Sequence, residues 1–339
     1  MNAPLPPAPV RPQPLIDLHP EPADLNRLVH EGMARSPKQL PAWLLYDAEG
    51  SRLFEAICAQ PEYSLTRHET ALLEARSNDL AEALGPGVVV EFGAGNARKV
   101  GPLLAALRPA AYVALDISAD HLAPACDALQ RRHPAVPVLG ICCDYSRLEQ
   151  LPAHPLLENQ RLHGFYPGSS IGNFEPEQAV TMLTQFRRLL GAGGRLLIGI
   201  DHPKPVERLE AAYDDAAGVS AAFALNLLAR LNRDLAGDFD PAAFRYRARW
   251  QPEASRVAME LVSLRPQSVR LAGERWSFAA GEPLVSEYSY KYTPAAFAEL
   301  ANRAGWRVRR SWSDPAGDLS LQLLAQADSG LTDAAEATA

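Results

Sequence analysis

Two rhythms of hydrophobic and polar positions divide this chain. From Val88 to Asp201, short apolar runs at residues 88–92, 112–116, 137–143, 164–167 and 195–200 are separated for the most part by segments of helical character. Runs of that length, rich in β-branched residues, read as strands buried on both faces, and their alternation with helices predicts a parallel sheet covered on both sides. After Asp201 the rhythm changes. Residues 205–235 predict two helices meeting near Gly218, and residues 244–292 alternate with the two-residue period of strands, as in Phe244, Tyr246, Ala248 and Trp250. A helix is expected at 294–304. Strands at 306–312 and 319–326 then flank an Asp-Pro-Ala-Gly-Asp turn and predict a closing antiparallel hairpin. Upstream, residues 21–60 read as helical, with a turn entering a helix at 44–54. Thr66-Arg67-His68-Glu69 has the form of a capping box. The proline-rich residues 1–14 predict a disordered lead-in, and residues 329–339 a flexible tail.

The first strand carries the first chemical clue. Val88-Val89-Val90-Glu91-Phe92 runs into Gly93-Ala94-Gly95-Asn96. Glycines permit a sharp turn and a close ligand, and the next helix points its positive end there. In an open α/β sheet, ligands bind beyond the carboxyl ends of such strands. The third glycine of a dinucleotide fingerprint is missing, because position 98 is arginine. Two acids stand instead, Glu91 at this strand end and Asp116 at the next. This acid-x-Gly-x-Gly pattern resembles the S-adenosylmethionine site of Rossmann-like methyltransferases, since a sulfonium cofactor carries no phosphate for an acid to repel. By itself the stretch also admits any α/β strand and turn, or a nicotinamide site, against which Glu91 and the missing glycine speak.

Composition narrows the partners. A net charge of −7 argues against a nucleic-acid binder, which needs a basic face. No apolar run approaches membrane-spanning length, and the N-terminus lacks the basic start and apolar core of a signal peptide. The four cysteines show no paired spacing, which suggests reduced thiols and a cytoplasmic location. The eight histidines are scattered without ligand spacing, so no metal is expected. The partner expected is a small molecule, and the chain is expected to be a monomer.

Further along, several blocks in register resemble one family, the S-adenosylmethionine-dependent histidine Nα-methyltransferases of ergothioneine biosynthesis, which make hercynine. They are Tyr46-Asp47-x-x-Gly50-Ser51-x-Leu53-Phe54, Pro61-Glu62-Tyr63-x-x-Thr66-Arg67 and Gly168-Ser169-Ser170-Ile171-Gly172-Asn173-Phe174. Ala212-Tyr213-Asp214-Asp215-Ala216-x-Gly218-Val219, the segment 223–232 and Glu287-Tyr288-Ser289-Tyr290-Lys291 complete the set. The resemblance implies a class I methyltransferase fold, α/β, with a mostly parallel Rossmann-like sheet, a closing antiparallel hairpin and a smaller α+β substrate domain. Residues 68–201 and 292–328 would bind S-adenosyl-L-methionine, and residues 15–67 and 202–291 the substrate. Three methyl groups would pass to the α-amine of L-histidine, the donor leaving as S-adenosyl-L-homocysteine. Other readings are an enzyme for another aromatic amino acid, such as a tryptophan derivative, or a non-catalytic sensor.

Carried over by position, the cofactor residues fall on Tyr63, Gly93, Lys99, Asp116, Asp144 and Tyr145. Asp116 would accept from the ribose hydroxyls and Asp144 from the adenine amine, with Tyr145 beside the ring. The substrate residues fall on Tyr46, Gly168, Asn173, Tyr213, Met259, Glu287 and Ser289. Asn173 and Tyr213 would orient the α-carboxylate without a fixed positive charge. Glu287 and Ser289, two apart on a strand and so on one face, would meet the two imidazole nitrogens. Tyr46 is the catalytic candidate, assisting water in removing amine protons. Plainer readings stand beside these: turn or helix caps for Asp116 and Asp144, a solvated lysine for Lys99, a turn residue for Asn173. Tyr213 could be a helix-surface phenol, Met259 core filler, and Glu287 with Ser289 an edge-strand pair.

Overall fold

A computed structural model of the chain describes residues 15–19 and 24–327; the expected lead-in 1–14 and tail 329–339 lie outside the described residues. In chain order the strands are β1 Ile16–Asp17, β2 Lys38–Gln39, β3 Val88–Phe92, β4 Ala111–Asp116, β5 Val138–Cys142, β6 Leu162–Tyr166 and β7 Arg195–Asp201. There follow β8 Phe244–Gln251, β9 Arg256–Ser263, β10 Gln267–Leu271, β11 Glu274–Phe278, β12 Pro283–Tyr290, β13 Trp306–Ser313 and β14 Leu319–Gln326. The helices begin with α1 Leu25–Met33, α2 Ala48–Cys58, α3 Leu65–Ala75, α4 Ser77–Leu84 and α5 Gly101–Leu107. Then come α6 Ala119–Arg132, α7 Pro176–Leu190, α8 Val206–Tyr213, α9 Val219–Leu235 and α10 Pro294–Arg303.

Eight strands form the main sheet in the order β1-β5-β4-β3-β6-β7-β14-β13. All its pairings are parallel except those of β14 with β7 and with β13. Strand order reverses between β3 and β6, which opens a crevice at the ends of those two strands. Alternation explains the layers. Val89, Tyr112 and Phe165 pack into the hydrophobic cluster on one face, while Val88, Val90 and Val113 pack into the cluster on the other. This is the expected class I methyltransferase architecture.

The smaller sheet runs β2-β12-β9-β8, with the β10–β11 hairpin beside it. The N-terminal segment is tied to α9 through Asp47. That carboxylate caps α2 by accepting from the Gly50 N–H at 2.8 Å, and also accepts from Asn226 Nδ2 (2.8 Å) and Arg233 Nη2 (3.0 Å) on α9. Gly218, at φ +73°, occupies the left-handed conformation needed where α8 gives way to α9.

Three local expectations are corrected. Ile16–Asp17 pairs with Ile141–Cys142 in the main sheet, although residues 15–67 were expected as one block with the smaller domain. Residues 21–60 are not uniformly helical: α1 and α2 are separated by β2 and a short 3₁₀ turn at Ala42–Leu45. The Thr66–Glu69 box does not cap a helix, since α3 already begins at Leu65. Glu69 turns inward instead. Gly199 on β7 makes the room, because a Cβ there would fall 2.1 Å from Glu69 Oε1.

Candidate active site

The glycine corner is built mainly from backbone. Gly93 and Gly95 have φ of +71° and +53°, and the N–H groups of Gly93 and Ala94 both donate to the Leu115 carbonyl. Asp116 Oδ2 accepts from the Gly95 N–H at 2.9 Å and its Oδ1 from the Ser118 N–H at 3.2 Å. Asp144 Oδ1 likewise accepts from the Ser146 N–H and hydroxyl at 3.0 and 2.5 Å. Both acids thus fill the turn-capping role, and both remain partly exposed, with further lone pairs for a ligand. The Tyr145 ring packs edge-on to Phe92 at 5.7 Å, and its hydroxyl reaches within 3.3 Å of where a Cβ on Gly93 would stand. Glu91 lies beneath the corner, buried and accepting from the Tyr112 hydroxyl at 2.5 Å; desolvation pushes it up to about 8.

Lys99 is not a solvated helix lysine. It precedes α5, and its Nζ donates to Glu69 Oε2 at 2.9 Å. Burial works against its ammonium, but Glu69, with Cys58 and Glu91 adding to it, raises it on balance. The other Glu69 oxygen accepts from the Gly168 N–H at 2.6 Å. Gly168, at φ +80°, lies so close that a Cβ there would meet Lys99 Nζ at 2.9 Å. A single buried carboxylate therefore joins Lys99, just ahead of α5, to the turn that carries Gly168 and Asn173. The sequence reading missed Glu69 as a site residue. The signal was present: 65, 69, 72 and 73 form one helical stripe, and Glu69 is the acid among three leucines.

All seven residues assigned to the substrate line one cleft. Tyr63 lines it too, although it was assigned to the cofactor. Its ring stands edge-on to Tyr213 at 5.9 Å and to Phe54 at 6.4 Å. Tyr46 continues this aromatic wall, 5.5 Å from Phe54 and 5.4 Å from Phe223. Desolvation first and Glu287 second push the Tyr46 phenol upward, so it is protonated at neutral pH.

The polar side of the cleft is non-local. Glu287 and Ser289 project from β12 into the cleft, just beyond a register shift after Val285, with Met259 of β9 directly opposite Glu287. Asn173, at the end of the 3₁₀ turn Ser170–Asn173, donates from Nδ2 to Glu287 Oε1 at 2.8 Å. Desolvation raises Glu287 to about 8 against the opposing pull of Lys291. The Tyr213 hydroxyl, at the end of α8, hydrogen-bonds Ser289 Oγ at 2.9 Å, so it is no surface phenol.

Lys291 was missed. It is 0% exposed at its side chain, and its Nζ lies 2.9 Å from Asp201 Oδ2. It donates to the Tyr213 hydroxyl at 2.7 Å and to Ser289 Oγ at 2.5 Å. The expectation of no fixed positive charge near Tyr213 is therefore corrected. The available signal was period two: Lys291 continues the 287, 289 series past the strand end.

Among the described residues, His68, Asp314 and Asp318 bring ligand-type atoms within 4.8 Å of one another. Asp314 Oδ1 already accepts from the Asp318 and Leu319 N–H groups, and Arg208 pairs with Asp318, so the hairpin turn accounts for this group. No helix among the described residues is long and apolar enough to cross a membrane.

Over residues 25–326 the chain matches the family described as histidine-specific, SAM-dependent methyltransferases. It is 40% identical over 306 residues to the histidine N-alpha-methyltransferase of Mycolicibacterium smegmatis, covering 88% of this chain and 94% of that one. The histidine N-alpha-methyltransferase of Mycobacterium tuberculosis is 39% identical over 310 residues, covering 89% and 95%. Ergothioneine biosynthesis protein 1 of Schizosaccharomyces pombe is 28% identical over 298 residues, covering 84% of this chain and 39% of that longer protein.

Proposed function

This chain belongs to the S-adenosylmethionine-dependent, histidine-specific methyltransferases, and on that premise we propose that it converts L-histidine to hercynine by three successive methylations of the α-amine. The observation that carries the reading is the buried pair Glu287 and Ser289, in one cleft with Asn173 and Tyr213. An acid and a hydroxyl on one strand face suit the two nitrogens of an imidazole; an indole has a single N–H and would leave one of them idle.

The residues of the glycine corner fit a donor without phosphates. A Cβ at Gly95 would meet no atom within 4 Å, and the acids there suit hydroxyl and amine donors. In this reading Tyr63, Gly93, Lys99, Asp116, Asp144 and Tyr145 hold S-adenosyl-L-methionine, whose chemistry is an electrophilic sulfonium methyl. The main sheet carries the cofactor, and residues 202–291 with the N-terminal helices enclose the amino acid. We read the protein as a cytoplasmic monomer acting on a small molecule, and the four unpaired thiols fit a reducing compartment.

The chain's own contribution is chiefly positioning. Glu287, held largely protonated by burial, gains in an imidazole the partner that a buried carboxylate needs. Asn173 then has amide N–H to offer the α-carboxylate beside Tyr213. Fixing both ends of histidine aims the amine, and for well-oriented reactions effective molarities reach roughly 10⁵ M or more. Tyr46, protonated, passes amine protons to water between rounds. The aromatic wall of Tyr46, Phe54 and Tyr63 holds the growing ammonium by cation–π attraction, worth about 0.5–2 kcal/mol.

Incubation with S-adenosyl-L-methionine and each amino acid separately, read by mass spectrometry, tests the proposal. Up to three added methyl groups on histidine are expected. Methylation of tryptophan in place of histidine, or of no amino acid, overturns it.

A further inference from the structure

Lys291 has no role in the mechanism above, yet it is among the most completely buried charges in the molecule. Its ammonium has three protons and three oxygen partners: Asp201 Oδ2, the Tyr213 hydroxyl and Ser289 Oγ, all within 2.9 Å. Its backbone is pinned as well. The Lys291 N–H donates to the Ser255 carbonyl, and its own carbonyl accepts from the Ser255 hydroxyl. Burying an ammonium this deeply is costly, and one acid would suffice to neutralise it. Asp201, however, is shared. The part-buried Lys204 Nζ lies 2.6 Å from its other oxygen, so this group of two cations and one acid carries an excess positive charge.

That excess charge sits directly behind a hydroxyl that faces the cleft. Resting on the reading above, we propose that Lys291 is the positive charge set against the substrate's α-carboxylate, acting through the hydroxyl of Tyr213 rather than by direct contact. Because Lys291 donates to both Tyr213 and Ser289, each oxygen has a lone pair occupied and is polarised to give its own proton onward. Tyr213 thereby becomes a stronger donor toward an anion in the cleft, and the anion completes the charge balance of the buried group. An amino acid with a free carboxylate is selected over the corresponding amine. Lys291 is thus a positioning and specificity residue, one step removed from the substrate.

The test compares two ligands that differ only at this end, L-histidine and histamine, which lacks the carboxylate. Binding of each to the full chain is measured by calorimetry with saturating S-adenosyl-L-homocysteine. Lys291→Met keeps an unbranched side chain and leaves Asp201 paired with Lys204. It is expected to weaken histidine by about tenfold or more while changing histamine by less than about twofold. Asp201→Asn removes the competing anion and is expected to shift the ratio oppositely, favouring histidine over histamine more than the wild type does. Equal weakening of both ligands by Lys291→Met marks a merely structural role and overturns the proposal. If that variant does not fold, an unchanged ratio in Asp201→Asn overturns it. Wild-type protein that binds no histidine defeats the functional reading as well, whereas wild-type binding with unmoved ratios defeats this inference alone.

Discussion

The two halves of the site are made differently. At the glycine corner the two partly exposed acids answer largely to their own neighbours in sequence: Asp144 accepts from Ser146 and Asp116 from Ser118, with Gly95 the more distant partner of Asp116. Backbone conformation does the shaping, and the acids stay partly in water. In the cleft, the contacts between its walls join distant segments, as with Asn173 to Glu287 and Tyr213 to Ser289, whereas Lys291 to Ser289 is local. Glu287, Ser289 and Lys291 are buried there, and two of these three are charged or chargeable. A ligand at the corner can add to bonds already satisfied. A ligand in the cleft must enter a network whose members lean on one another, which makes the cleft the more selective half and the more sensitive to pH and substitution.

Replacing Glu287 gives the largest effect expected. Its folded pKa of about 8 lies above the ordinary 4.5. Below pH 4.5 both the folded and unfolded forms are protonated and the group is neutral to stability. As pH rises from 4.5 to 8 the unfolded chain ionises first, so folding loses stability progressively and then levels off. Glu287→Gln should therefore be more stable than wild type at pH 8, by an amount on the order of a few kcal/mol, with the gap closing toward pH 4. Chemical denaturation across this range checks it, and a gap independent of pH sinks the idea that burial holds this acid protonated.

Asp116→Ala comes next. Losing a charged acceptor should weaken S-adenosyl-L-homocysteine by about 1.5–3 kcal/mol, while histidine affinity measured without the cofactor stays the same. A parallel loss of histidine binding would erase the distinction between corner and cleft. Tyr46→Phe is the mildest change, because the ring and its contacts with Phe54 and Phe223 remain. It should shift the proportions of mono-, di- and trimethylated histidine by mass spectrometry. Unaltered proportions at an unaltered rate remove the Tyr46 hydroxyl from the mechanism.

This division also explains what could be read in advance. Strand and helix periodicity locates β3 to β7, the helices on either side of Gly218 and the closing hairpin, because each is written in neighbouring residues. The corner is legible for the same reason, since a strand, two glycines and a strand-end acid are contiguous signals. The cleft residues were assigned only through resemblance to a family. Nothing local says that Asn173 will meet Glu287, 114 positions away. Glu69 and Lys291 escaped for a sharper physical reason. A charged residue in an apolar stripe or strand looks like an exposed exception, until folding shows an opposite charge waiting for it.

Glu69 also gives the two halves a common wall. One of its oxygens accepts from Lys99 and the other from the Gly168 N–H, so a single carboxylate touches both sides. Whatever factor the methyl donor imposes on histidine affinity, histidine must return to the donor, because linkage is reciprocal. The enzyme's appetite for each ligand is in this sense a property of the pair.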